Sequence, residues 1–158
     1  MATVAAGPRW NGPTRHERVM DKTRPTVLFV CVHNAGRSQM AAAWLEHLAG
    51  GGVRVLSGGS IPAAEVNPAA VAAMAESGLD ISARTPQPWT ETAVRQADVV
   101  ITMGCGDTCP FFPGKRYEDW EVADPAGRPL DEVRAVRDEI EQRVRRLMVS
   151  LDLGFDPA

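Results

Sequence analysis

Short apolar runs alternate with helical periodicities along most of this chain, and that alternation narrows its fold more than any other feature. Residues 26–31, "TVLFVC", form the β-branched and aromatic run that a fully buried strand needs. Residues 37–52, "RSQMAAAWLEHLAGGG", place Met40, Trp44, Leu45 and Leu48 on one helical face and stop at Gly50, Gly51 and Gly52. A second strand is expected over 53–60. The segment "NPAAVAAMAESGLD" reads as a helix with Asn67 as N-cap, Pro68 at the first helical position and Gly78 at its close. A short helix is expected over 88–97, a third strand over 98–103 and a fourth over 117–122. The last helix, over 130–151, carries the stripe Val133, Val136, Ile140, Val144, Leu147 and Met148, with Glu139–Arg143 and Glu141–Arg145 as i,i+4 pairs.

Strands alternating with helices imply parallel pairing through crossovers, with helices on both faces. In such a sheet the functional loops lie at the carboxyl ends of the strands. Cys31, Ser57, Cys105 and Asp124 all fall at or just past the ends of expected strands, so their loops should converge on one edge.

The chain has 158 residues, which suits one domain with one core. Its net charge of −3 offers no basic face for a nucleic acid. No apolar run approaches the roughly 20 residues of a membrane span. Residues 1–25 are rich in Pro, Gly, Arg and Thr and lack apolar periodicity. They read as a disordered extension ahead of a domain over 26–158, with Met20 as an alternative start. No long apolar core follows the early basic residues, so no secretory signal is expected, and the cytoplasm is the expected compartment.

Cysteines occur at 31, 105 and 109. An odd number in a reducing compartment argues against a structural disulfide framework. No metal site is expected either: the pair in "GCGDTC" lacks two further ligands, and His16, His33 and His47 form no second cluster.

The chemistry concentrates in "CVHNAGRS", residues 31–38. A strand–loop–helix transition aims backbone N–H groups and the helix dipole at one point, and successive N–H groups in a tight loop form an anion nest. Gly36 lets the loop close without a Cβ clash. Arg37 adds a planar, permanently charged fork that grips two oxygens of a tetrahedral oxyanion. Cys31 lies at the focus of the same field, where those donors favour its thiolate, and Ser38 is spaced to hydrogen-bond it. The loop holds no lysine and no GxxxxGK[ST], so it is not a nucleotide loop of that type. Spacing alone leaves the identity of the oxyanion open.

The stretch "VLFVCVHNAGRSQMAAAW" resembles the low-molecular-weight tyrosine phosphatase family. It is closer still to that family's thiol-dependent arsenate reductase branch, to which "RSQMA" and the following Trp44 point. The resemblance covers about residues 26–152. It implies an α/β three-layer sandwich, a four-stranded parallel sheet flanked by helices. It implies Cys31 as nucleophile and Val32, His33, Asn34, Ala35, Gly36, Arg37 and Ser38 as the oxyanion-binding loop. Within it Arg37 is the clamp and Asn34 holds the loop's shape.

By the same resemblance Asp124 in "ADPAG" is the general acid, in a turn that Pro125 stiffens; from the residues alone it reads as a turn aspartate. Phosphatases of the family often carry aromatics after the Asp-Pro. Ala126 and Gly127 stand there in this chain and suit a small, bare oxyanion.

The reductase branch further implies Cys105 as a second attacking thiol and Cys109 as a third, in a relay that ends in a Cys105–Cys109 disulfide reduced by thioredoxin. A related group, similar in "MGCGDTCP", passes the arsenate adduct to mycothiol and mycoredoxin and leaves the extra cysteines as spectators. Both routes stay open. No bound cofactor is expected beyond that external thiol reductant, no nucleic-acid or membrane partner is expected, and the chain is expected to be a monomer. Arsenate reduction is the first reading. A phosphatase for phosphotyrosine or small phosphate esters is the second, and a non-enzymatic oxyanion or redox sensor the third. Trp44 and Trp120 read as core packing, and Phe111 and Phe112 as a loop anchor or a partner-docking surface.

Overall fold

A computed structural model describes residues 24–104 and 111–151. In chain order the elements are β1 (Thr26–Cys31), α1 (Arg37–Ala49), β2 (Arg54–Gly59), α2 (Pro68–Glu76), α3 (Glu91–Gln96), β3 (Val99–Thr102), β4 (Arg116–Asp119) and α4 (Leu130–Ser150). The four strands lie in the order β2-β1-β3-β4 and every pairing is parallel. This is the three-layer sandwich that the alternation implied.

β1 is central and buried along its whole length. Its pleat sends Val27, Phe29 and Cys31 into the larger core, with Met40 and Leu45 of α1, Met74 of α2 and Ile140 of α4. Leu28 and Val30 face the other way, against Val94 of α3 and Val100. Phe29 meets Trp120 at a ring-centroid distance of 5.8 Å, tilted by 56°. Trp44 and Trp120 are both buried, as core residues should be. Truncating a buried aromatic such as Phe29 costs about 3–5 kcal/mol.

Four details depart from the sequence reading. The first nine residues of α1, Arg37 to Leu45, are buried on all sides rather than along one stripe, because the helix lies under α4 as well as against the sheet. α3 begins at Glu91, not at residue 88. Pro88 bridges to Gly59, Trp89 donates to the Gly59 carbonyl at 3.1 Å, and Thr90 then caps the helix by accepting from Ala93 N. β4 ends at Asp119, and Trp120 turns into the core instead of extending the strand. Ser57 sits inside β2 opposite Phe29, away from the strand's end.

α2 follows the expected pattern. The Asn67 side chain accepts from Ala69 N at 2.8 Å, and Gly78, at φ +81, turns the chain away. Its last residue, Glu76, is clamped onto α4 by Arg134 (2.8 Å) and Arg137 (2.8 Å). Those guanidinium hydrogen bonds, Arg134's the larger, hold the Glu76 carboxyl down from 4.5 to about 2. The α4 stripe is buried throughout, and both expected i,i+4 pairs form.

Pro25 already joins the sheet through Arg54 N, which donates to its carbonyl at 2.9 Å. The rest of the expected extension, residues 1–23, lies outside the described residues, as do Cys105, Cys109 and residues 152–158. Among the described residues no helix is long and apolar enough to cross a membrane, and no cluster of His, Cys, Asp and Glu is placed to hold a metal.

Candidate active site

The loop between β1 and α1 is built by turning its carbonyls outward. The carbonyl of Cys31 accepts from Ser60 N (3.2 Å), that of Val32 from Ile61 N (2.8 Å), that of His33 from Ala63 N (3.0 Å) and that of Ala35 from Asn67 N (2.9 Å). The Asn34 carbonyl accepts from Gln39 Nε2 (3.0 Å), and that of Gly36 from Met40 N (2.9 Å). A trans peptide holds its N–H opposite its C=O, and no peptide here is cis. The N–H groups of Val32 to Arg37 are thereby turned to the inside of the loop.

The start of α1 strengthens the same field. Its N-cap, Gly36, supplies no side-chain acceptor, and its first turn holds no acidic residue. α2 and α3, by contrast, satisfy early N–H groups with Asn67 and Thr90. Uncapped amides and the positive end of the dipole are left for an anion from outside.

Cys31, at the end of β1, is 2% exposed, and its Sγ lies 2.9 Å from Ser38 Oγ. Asn34 Nδ2 donates to the same Oγ at 2.7 Å, so the hydroxyl's own hydrogen is free to point at the sulfur. Asn34 adopts φ +50, a left-handed conformation that asparagine tolerates better than most side chains. Gly59 makes room beneath it: a Cβ there would stand 2.7 Å from Val32 O and 3.0 Å from Asn34 N.

Arg37 is 7% exposed and crosses to the far wall, where its Nη1 donates to Val122 O at 3.4 Å and its Nη2 stands 3.6 Å from Asp124 Oδ2. Gly104, at φ +82, lies directly against it; an added Cβ would sit 2.4 Å from Nη1. Asp124 is half-exposed. Its Oδ1 accepts from Ala126 N at 3.0 Å, an Asx turn that aims the carboxylate back at the loop. Pro125 leans on Gly36, where a Cβ would meet its Cγ at 2.7 Å.

Cys31, His33, Ala35, Gly36, Arg37, Asn67, Asp124 and Ala126 line an open cleft of ≈ 270 Å³, the solvent at its mouth included. The sulfur, the guanidinium and the carboxylate predicted from sequence thus meet in one place. Asn34 and Ser38 do not line the cleft; both are wholly buried behind it. His33 is exposed at the rim, and its Nδ1 donates to the Ile61 carbonyl at 2.9 Å. Ala126 lines the cleft where the sequence put a small residue, whereas Asn67 and Gly104 were not expected at the site. The signal for Asn67 was its place as an N-cap, at a helix start facing the carboxyl end of the sheet.

A tetrahedral anion entering this cleft meets inward N–H groups, the start of α1 and Arg37 on one side, the Cys31 sulfur beneath, and a carboxyl group opposite. That is an arrangement for sulfur attack on an oxyanion with a proton donor on the leaving side.

Comparison with known proteins agrees with this geometry. The low molecular weight phosphotyrosine protein phosphatase family matches residues 26–154. An arsenate reductase of Staphylococcus epidermidis is 42% identical over 129 residues, 79% of this chain and 95% of that protein. A glutaredoxin arsenate reductase of Synechocystis is 38% identical over 128 residues, 79% of this chain and 97% of that protein. The solved thioredoxin-dependent arsenate reductase of Corynebacterium glutamicum superposes with a TM-score of 0.73 at 44% identity, covering 89% of this chain and 71% of that one. The chain belongs to the low molecular weight phosphotyrosine protein phosphatase family, among its arsenate reductases.

Proposed function

We propose that this chain reduces arsenate to arsenite with electrons from thiols. The Cys31 thiolate attacks arsenic(V), and one arsenate oxygen leaves as water with a proton from Asp124. Arg37 and the N–H groups of Val32 to Arg37 hold the remaining oxygens, while Ser38 steadies the sulfur. A second thiolate then attacks the Cys31 sulfur. The sulfur–arsenic bond breaks with its electron pair going to arsenic. Arsenite departs, and two sulfurs are left joined, which balances the two electrons arsenic gains.

The observation that carries this reading is the bare wall opposite Cys31. Ala126 lines the cleft after Asp124-Pro125, and among the described residues no aromatic ring lines it to flank a phenyl ester. The candidate second thiol belongs to the chain that follows β3. β3 lies beside β1 and Gly104 rests on Arg37; Cys105, outside the described residues, is the next residue in sequence. Cys109 would resolve the Cys31–Cys105 bond and present a disulfide to an external reductant. That reductant is a thiol system. Thioredoxin is favoured by the Corynebacterium glutamicum relative, with mycothiol and mycoredoxin as the other route. No bound cofactor is required. A monomer in the reducing cytoplasm suits the chemistry.

Treating the fully reduced protein with arsenate alone tests this. Loss of two thiols per arsenite formed, with a Cys105–Cys109 bond mapped by mass, supports the internal relay. No loss until mycothiol is added supports transfer. Rapid hydrolysis of an aryl phosphate, with no arsenate-dependent oxidation under either condition, would make it a phosphatase. Arsenate binding with no turnover, whatever thiol is supplied, would make it a sensor.

A further inference from the structure

Gln39 is a polar residue where α1 is otherwise core. It is 2% exposed, between Ser38, Met40 and the alanines 41 to 43, all of them buried. Its Oε1 is buried with no hydrogen-bond partner. A methionine or leucine would fill the same space, continue the helix equally well and leave no carbonyl unsatisfied. What Gln39 gains lies at its other atom: Nε2 donates to the Asn34 carbonyl and to Asn34 Oδ1, both at 3.0 Å.

The amide orientations follow from backbone groups that can play only one role. The Asn34 carbonyl only accepts, so the Gln39 atom facing it is nitrogen. Gln87 N–H only donates, at 3.0 Å to the Asn34 side chain, so the Asn34 atom facing it is oxygen. The nitrogen of Asn34 is then the atom left facing Ser38 Oγ, at 2.7 Å, and it donates. Ser38 has accepted that bond and turns its own hydrogen to Cys31 Sγ, at 2.9 Å. The run Gln39 and Gln87 to Asn34 to Ser38 to Cys31 thus has a single direction of donation, toward the sulfur.

We infer that Gln39 is a positioning residue for the Cys31 thiolate, acting through Asn34 and Ser38 without touching the cleft. It does so by pinning the Asn34 side chain in the orientation that makes Ser38 a donor. The inference rests on Cys31 as the reactive thiol and not on which oxyanion it attacks, so it survives a failure of the arsenate reading.

The test uses the full chain carrying Cys105→Ser and Cys109→Ser, so that Cys31 is the one thiol to report. Iodoacetamide alkylation is followed from pH 5 to pH 9, with the thermal midpoint recorded for each variant. Gln39→Met should move the midpoint of the alkylation profile upward, in the same direction as Ser38→Ala. At the wild-type midpoint the rate should fall about fivefold, one hydrogen bond's worth. The double variant should shift no further than Ser38→Ala alone, because both changes remove the same bond to sulfur. An unmoved profile in Gln39→Met, or shifts that add in the double variant, would overturn the inference. Where Gln39→Met does not fold, Gln39→Leu is measured by the same criteria. Asn34→Asp gives an independent arm: its carboxylate still accepts from Gln39 and Gln87 but cannot donate to Ser38, so it too must shift the profile upward, and failure to do so also overturns the inference.

Discussion

Two carboxylates in this molecule face arginines, and they are held very differently. Glu76, joining α2 to α4, takes Arg134 and Arg137 on both oxygens at 2.8–3.1 Å. Asp124 has one arginine atom near one oxygen, at 3.6 Å, with the other oxygen taken by a backbone amide. The first has its acceptor sites filled by charge and is held ionised; it fastens two helices together. The second keeps acceptor capacity in reserve, half-exposed in the cleft that Cys31 also lines, where the proposed function needs a proton donor. The number of donors on a carboxylate separates the fastener from the proposed acid more clearly than its proximity to an arginine does.

Breaking the loose pair should cost most. Arg37→Lys replaces the fork with a point charge and should lower arsenate turnover about 10³-fold, with a raised KM, while the thermal midpoint stays near that of wild type. Asp124→Asn should lower turnover about 10²-fold and leave KM for arsenate nearly unchanged, since the proposed role of the group it removes is to protonate the leaving oxygen. Steady-state assays on purified variants check both. Gly104→Ala sharpens the comparison from the far side. A Cβ at φ +82, and 2.4 Å from the Arg37 guanidinium, must displace the clamp, and turnover should fall about tenfold.

Breaking the tight pair should be the mildest change and should leave activity alone. The Glu76 carboxyl is lowered from 4.5 to about 2 in the folded chain, so its contribution is fully present above pH 4.5 and disappears as pH falls toward 2. Glu76→Gln should therefore be less stable than wild type at pH 6 and indistinguishable from it near pH 2. Urea midpoints at the two pH values read this out.

Local features made half of the site legible. Cys31, Arg37 and Ser38 belong to one strand–loop–helix turn, and Asn67 and Pro68 announce their helix by capping chemistry alone. The convergence of the Cys31 and Asp124 loops followed from strand order, but the individual contacts between residues distant in sequence escaped. Which residues would receive the loop's carbonyls depends on how 60–67 passes beneath it. That Gly104 would press on Arg37 depends on β3 lying beside β1. Gln39 read as part of a helix, because only the fold reveals that Asn34 waits beside it. The starts of α3 and the end of β4 were misplaced for the same reason: Pro88 and Trp120 answer to Gly59 and Phe29, not to their own neighbours.

The outward-turned carbonyls carry a last consequence. Six of them are tied down by protein donors, so the loop takes its shape when the chain folds rather than when a guest arrives. A mould finished in advance measures only size, symmetry and charge, and phosphate matches arsenate closely in all three. Phosphate should therefore occupy the cleft as a competitor. The choice between the two elements then falls after binding, at the moment the sulfur bond breaks: arsenic(V) takes up the electron pair, and phosphorus(V) does not.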